Sequence, residues 1–134
     1  MTKLESDKVE INSSAQNVFA FLSNFNNFQK LMPEQVTNWT STEEECSFTI
    51  SGMATIGMKI IEKKPNSEIK IVSNGKVPFK FDLNVLLSEA GENKSIGQLV
   101  FTAELNPMLK MMVEKPLGNF FNLLAKKLKD INIV

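Results

Sequence analysis

The apolar residues of this chain change period twice. From Val36 to Leu105 they fall at every second position, in the runs "VTNWTS", "CSFTISG", "MKIIEKK", "EIKIVSNG", "FKFDLNVLLSEAG" and "SIGQLVFTAEL"; on either side they fall at helical spacing. Side chains two apart share one face of a strand. The middle of the chain therefore predicts an antiparallel meander, its runs divided by Glu, Pro-Asn-Ser, Asn-Gly and Gly-Glu-Asn turn signals. The cleanest run sets Phe79, Phe81, Leu83, Val85 and Leu87 on one face and Lys80, Asp82 and Asn84 on the other, the pattern of a sheet with one covered and one wet face. Gly97 and the "SGM" of Ser51 to Met53 are expected at bulges or bends where the sheet curves.

The flanks read as helix. After a first strand, "KVEI" from Lys8 to Ile11, the polar "NSSAQN" offers Ser13 or Ser14 as the cap of a helix whose Val18, Phe19, Phe21 and Leu22 form one apolar face. "SNFNNFQKLMP" then supplies Asn24, Asn26 and Asn27 as cap or turn residues, a short helical face at Phe28, Leu31 and Met32, and a stop at Pro33. At the far end, Asn106 and Pro107 start a helix running to about Asp130, with Leu109, Met112, Val113, Leu117, Phe120, Phe121, Leu124 and Leu128 on a broad apolar face. Lys126, Lys127 and Lys129 suit the negative end of its dipole. Pro116 lacks an N–H and collides with the preceding turn, a cost of about 3 kcal/mol, and Gly118 removes roughly 1 kcal/mol of helix propensity. A kink is expected at residues 115–118, with residues 109–113 over one end of the sheet and 117–128 over the other.

This order predicts an α+β helix-grip fold. One domain over residues 1–134 would hold a curved antiparallel sheet of six or seven strands, two short helices after the first strand, and a long, kinked C-terminal helix covering one face. "SSAQNVFAFLSNFNNFQKLMP" resembles the strand-to-helix segment of the START-like, Bet v 1-like (SRPBCC) superfamily, and "NPMLKMMVEKPLGNFFNLLAKKL" is similar to the closing helix of its small bacterial members. That superfamily includes polyketide cyclases and dehydrases, plant lipid-binding allergens, coenzyme-Q-binding proteins and a class of carbon monoxide dehydrogenase subunits. The resemblance implies an apolar small molecule held between the last helix and the sheet, in a superfamily where many members catalyse nothing. Fold alone does not fix function.

Composition narrows the chemistry. Lysine plus arginine and aspartate plus glutamate are both 15, and every basic residue is a lysine. Bidentate arginine contacts are therefore absent and the chain exerts little net pull on a polyanion, so no nucleic-acid partner is expected. With no histidine and no tyrosine, imidazole relays, histidine metal sites and phenolic acids are excluded, and no metal or cofactor is expected. Cys46 has no second cysteine to pair with and alternates with Phe48 and Ile50, as a small buried hydrophobe does. Met1 leads into a charged segment rather than a signal peptide, so a cytoplasmic location is expected. Glu114, Lys115 and Pro116 interrupt the most apolar part of the tail, so stable membrane insertion is not expected.

An open pocket beneath the last helix has an energetic limit. Roughly 300 Å³ of void at about 24 cal/mol per Å³ costs on the order of 7 kcal/mol, comparable to the whole stability of a domain, roughly 5 to 15 kcal/mol. Such a pocket must be occupied, partly hydrated, or narrowed by its own side chains, and 10 Phe and 7 Met are enough to narrow it. Three functions follow. The first is non-catalytic binding of a lipid, isoprenoid or aromatic metabolite by Trp39, Met53, Met58, Phe79, Phe81, Phe101, Met112, Leu117, Phe120 and Phe121. The second is a structural or interaction protein with a Phe- and Met-filled core, homodimeric through exposed apolar patches. The third is a cyclase- or dehydratase-like enzyme. Of the carboxylates in or at the ends of strands, Glu62, Asp82 and Glu104, the first choice for an acid or base near a pocket mouth is Glu104, while Asp82 opposes the phenylalanine face.

Overall fold

The computed structural model describes residues 1–51, 54–75 and 77–131. Its elements are β1 (Thr2–Glu5), β2 (Val9–Ile11), α1 (Ala15–Leu22), α2 (Phe25–Phe28) with a 3-10 turn (Gln29–Leu31), β3 (Val36–Ser41), β4 (Glu45–Ile50), β5 (Ala54–Lys64), β6 (Glu68–Ser73), β7 (Phe81–Gly91), β8 (Lys94–Ala103) and α3 (Pro107–Asp130). The strands form one antiparallel sheet in the order β1-β8-β7-β6-β5-β4-β3, with β2 also on β8. This is the helix-grip architecture.

The expected first strand is two strands. Thr2–Glu5 pairs with Val100–Ala103, and Val9–Ile11 pairs with Ser95–Gly97. Between them Ser6 keeps β8 satisfied: its N–H donates to the Leu99 carbonyl at 2.9 Å and its Oγ accepts from the Leu99 N–H at 2.9 Å. Residues 2–5 escaped the sequence pattern because the run has four residues and a single apolar member, Leu4, too short for its alternation to stand out.

Local chemistry sets the helices as anticipated. Ser14 Oγ accepts from the Asn17 N–H at 3.1 Å and Asn24 Oδ1 from the Asn26 N–H at 2.9 Å, capping α1 and α2. Asn106 Oδ1 accepts from the Leu109 N–H at 2.9 Å, with Pro107 in the first turn of α3. The alternation of β7 is also borne out, since Phe79, Phe81, Leu83, Val85 and Leu87 are buried while Lys80 and Asp82 are exposed.

The glycines act differently from expectation. Gly97 pairs regularly with both Val9 and Leu87, and the irregularities that bend the sheet lie at Thr37/Thr40, Ile60/Glu62 and Glu89/Gly91. Gly97 is instead a point of close approach, where an added Cβ would lie 3.0 Å from Ile11 Cδ1 and 3.5 Å from Leu128 Cδ2. The "SGM" segment links Ile50 to Ala54, which are paired across β4 and β5, so Ser51 belongs to a hairpin turn rather than a bend within a strand. Gly52 and Met53 lie outside the described residues.

α3 continues without interruption from Pro107 to Asp130, with Pro116 exposed. The carbonyl left without a donor by Pro116, that of Met112, belongs to a residue on the solvent side, where water can replace the missing partner. A Cβ added at Gly118 would meet no neighbour within 4 Å, so this glycine does not serve close approach. Val113, Leu117, Phe120, Phe121, Leu124, Ala125 and Leu128 form the buried stripe. Met112 does not belong to it: one residue before Val113, it is turned about 100° around the axis and is 64% exposed. Among the described residues no helix is long and apolar enough to cross a membrane.

Candidate functional site

The C-terminal half of α3 meets the concave face of the sheet along an apolar seam. Leu117, Phe120, Phe121 and Leu124 come from the helix; Phe48 and Ile50 from β4; Ile56 and Met58 from β5; Phe79, Phe81 and Leu83 from β7 and the residues just before it; Leu99 and Phe101 from β8; Phe28 and Met32 from the helical elbow of α2 and its 3-10 turn. Period two on the strands and period 3.6 on α3 put these residues face to face. About 20 Å³ remains free between them. That is room for one water at most, and water needs polar partners that these side chains do not offer.

Aromatic rings run across the seam as a connected chain that continues to Trp39 behind it. Trp39 stacks on Phe48 with centroids 5.3 Å apart, Phe48 on Phe120 at 6.2 Å, and Phe120 meets Phe121 edge-on at 5.5 Å. Phe121 continues to Phe101 at 5.3 Å, and Phe101 to Phe81 at 5.3 Å and Phe79 at 6.2 Å. Offset and edge contacts of this kind add roughly 0.5 to 1.5 kcal/mol per pair beyond buried area.

Seven of the ten expected ligand-binding residues converge here: Met58, Phe79, Phe81, Phe101, Leu117, Phe120 and Phe121. Two do not: Met112 points away, and Trp39, half-buried on the edge strand β3, stands behind Phe48 rather than in the seam. Met53 lies outside the described residues. Trp39 is tied to the elbow: its Nε1–H donates to Ser41 Oγ at 3.0 Å, and Ser41 Oγ donates to Asn26 Oδ1 at 2.6 Å. Sequence reasoning passed over Phe48, Ile50, Ile56, Leu83, Leu99, Leu124, Phe28 and Met32 as lining residues. For Phe48, Ile50 and Leu83 the alternation was visible; what it lacked was the neighbouring strand each would face.

The polar candidates lie elsewhere. Glu104 is exposed beyond the end of β8, beside an open depression shared with Lys80, Asp82 and Thr102, and it does not face the seam. Asp82 is exposed, and Glu62 pairs with Lys70 at 3.7 Å on the surface. Cys46 is buried, as expected; loss of solvent pushes its thiol up to about 12, opposed in part by a backbone hydrogen bond from Met58. A thiol held protonated in this way is neither a nucleophile nor a metal ligand at neutral pH. Among the described residues no three carboxylate or cysteine side chains gather as a metal site.

No protein-family profile matches the sequence, and no curated protein matches it in sequence. Solved structures do match in shape. A START superfamily protein from Mycobacterium smegmatis aligns over 97% of this chain and 99% of its own, with TM-score 0.69 at 14% identity. The protein XoxI from Bacillus cereus aligns over 97% and 94% of the two chains, with TM-score 0.77 at 14% identity. The di-domain ARO/CYC protein BexL from the BE-7585A biosynthetic pathway aligns over 97% of this chain but 46% of its own, with TM-score 0.76 at 13% identity. At these identities the likeness shows the fold, that of START-like proteins.

Proposed function

We propose that the protein binds an apolar small molecule, a lipid, isoprenoid or aromatic metabolite, between α3 and the sheet, without catalysis. The observation that carries this reading is the seam itself, lined among the described residues by apolar side chains alone and crossed by a chain of aromatic rings. Among the described residues no side chain able to move a proton at neutral pH lines it, and Glu104 lies elsewhere, so the third function, a cyclase or dehydratase working through Glu104, has no support in the geometry. The small free volume requires the rings to move when a ligand enters, and Met58 and Met32 are the adaptable side chains that permit it. Affinity then comes from apolar area, roughly 25 cal/mol per Å² before ordering costs. Native mass spectrometry of protein purified without detergent, followed by a broad lipid panel, tests this. The expected result is a saturable one-to-one complex; no bound species and no binding in the panel would sink it.

A second reading is favoured by one observation. A seam with only about 20 Å³ free is also what a filled core looks like, and the exposed Met108, Met111 and Met112 offer an apolar patch for self-association. Light scattering that shows a strict monomer at high concentration removes the homodimer part of this reading. A cytoplasmic setting and the absence of a nucleic-acid partner belong to both.

A further inference from the structure

Of the described residues lining the seam, Met32 is the one that is not buried, and among them the seam comes nearest to solvent at the elbow. The same residue is held from outside: Lys127 Nζ, on the last turns of α3, donates to the Met32 carbonyl oxygen at 3.2 Å. None of the ion pairs among the described residues involves Lys127. Lys126 and Lys129 on the same helix end and Lys30 on the 3-10 turn add positive charge there, set against Glu34 and Asp130 on the same two segments.

Resting on the apolar-binding reading above, we infer that the elbow is the mouth of the seam, latched by Lys127, and that the occupant is an apolar carboxylic acid whose head group replaces the Met32 carbonyl as the partner of Lys127. The chemistry points one way. A seam without polar side chains cannot satisfy a head group, which must stay at the rim. At the rim stands an ammonium whose present partner is a neutral carbonyl. A carboxylate makes the stronger, charge-assisted bond with it, an alcohol gains nothing over that carbonyl, and an amine is repelled. Breaking the Lys127 bond also frees the Gln29–Met32 segment to lift as the tail enters.

The test compares dodecanoate with dodecan-1-ol, whose tails are alike, by calorimetry and by the emission of Trp39, the sole tryptophan, which stacks on Phe48 in the seam wall. In the unaltered protein at low salt the acid should bind about fivefold more tightly, the upper range for an exposed ion pair. Lys127→Met should abolish that preference with alcohol binding kept, and Lys115→Met, on the exposed side of the other half of α3, should leave the preference intact. Equal affinity for acid and alcohol in the unaltered protein, or a preference that survives Lys127→Met, overturns the latch while leaving the apolar site standing. Binding of neither probe overturns both.

Discussion

The two halves of α3 are equally rich in large apolar side chains, yet they meet opposite fates. Leu117, Phe120, Phe121, Leu124 and Leu128 are buried against the sheet, whereas Met108, Met111 and Met112 are 72%, 85% and 64% exposed and only Val113 of that half is buried. Apolar content alone does not separate them. Geometry does: the second half lies over the concave face between β4 and β8, where each ring finds rings opposite, and among the described residues the first half has no such partner. Phenylalanine, with two side-chain torsions, suits a fixed wall. Methionine tolerates exposure because it fits many surroundings and demands none.

Substitutions can break this comparison. Phe120→Ala removes a ring that touches both Phe48 and Phe121, and should cost about 3 to 5 kcal/mol by chemical denaturation. A loss under about 1 kcal/mol would mean that the seam collapses freely and has no fixed shape. Cys46 should resist thiol reagents at pH 8 and react fully once the protein is unfolded; fast labelling of native protein would contradict its burial. Because burial raises its pKa from 9.0 to about 12, its contribution to stability is complete below pH 9 and falls as the pH rises towards 12. Thiolate absorbance followed against pH should show the native protein titrating above the unfolded one.

The smaller effects sharpen the contrast at the junction. Gly118→Ala should stabilise by roughly 0.5 to 1 kcal/mol, since an added Cβ meets nothing within 4 Å and alanine is the better helix former. Destabilisation there would show that the helix needs a loose joint beside Pro116. Met111→Ala should stay within about 0.5 kcal/mol of the unaltered protein, as exposed substitutions do. A larger loss would reveal a covering partner for the first half of α3.

Much of this was legible from periodicity. The limits of α3, its Asn106 cap, the elbow and the two faces of β7 all follow from signals within a few residues of one another. What escaped depends on contacts between distant segments. β1 is recognisable only through its pairing with β8, Gly97 only through Ile11 and Leu128, and the place of Met32 only through Lys127. Met112 shows the opposite failure: a stripe drawn too wide by one residue takes in a side chain that points to water. Seven candidate residues meet in the seam because strand alternation and the helical stripe are both local patterns, and local patterns specify which faces turn inward.

If the protein acts as proposed, the seam opens for an apolar ligand while the methionine face does not bind it. Methyl NMR of the protein titrated with naphthalene, a flat hydrocarbon, tests this most directly. Saturable one-to-one shifts are expected at Met58, Leu83, Leu117 and Leu124, with Met108, Met111 and Met112 unmoved. Shifts confined to those three exposed methionines, or shifts that never saturate at the seam, would contradict it.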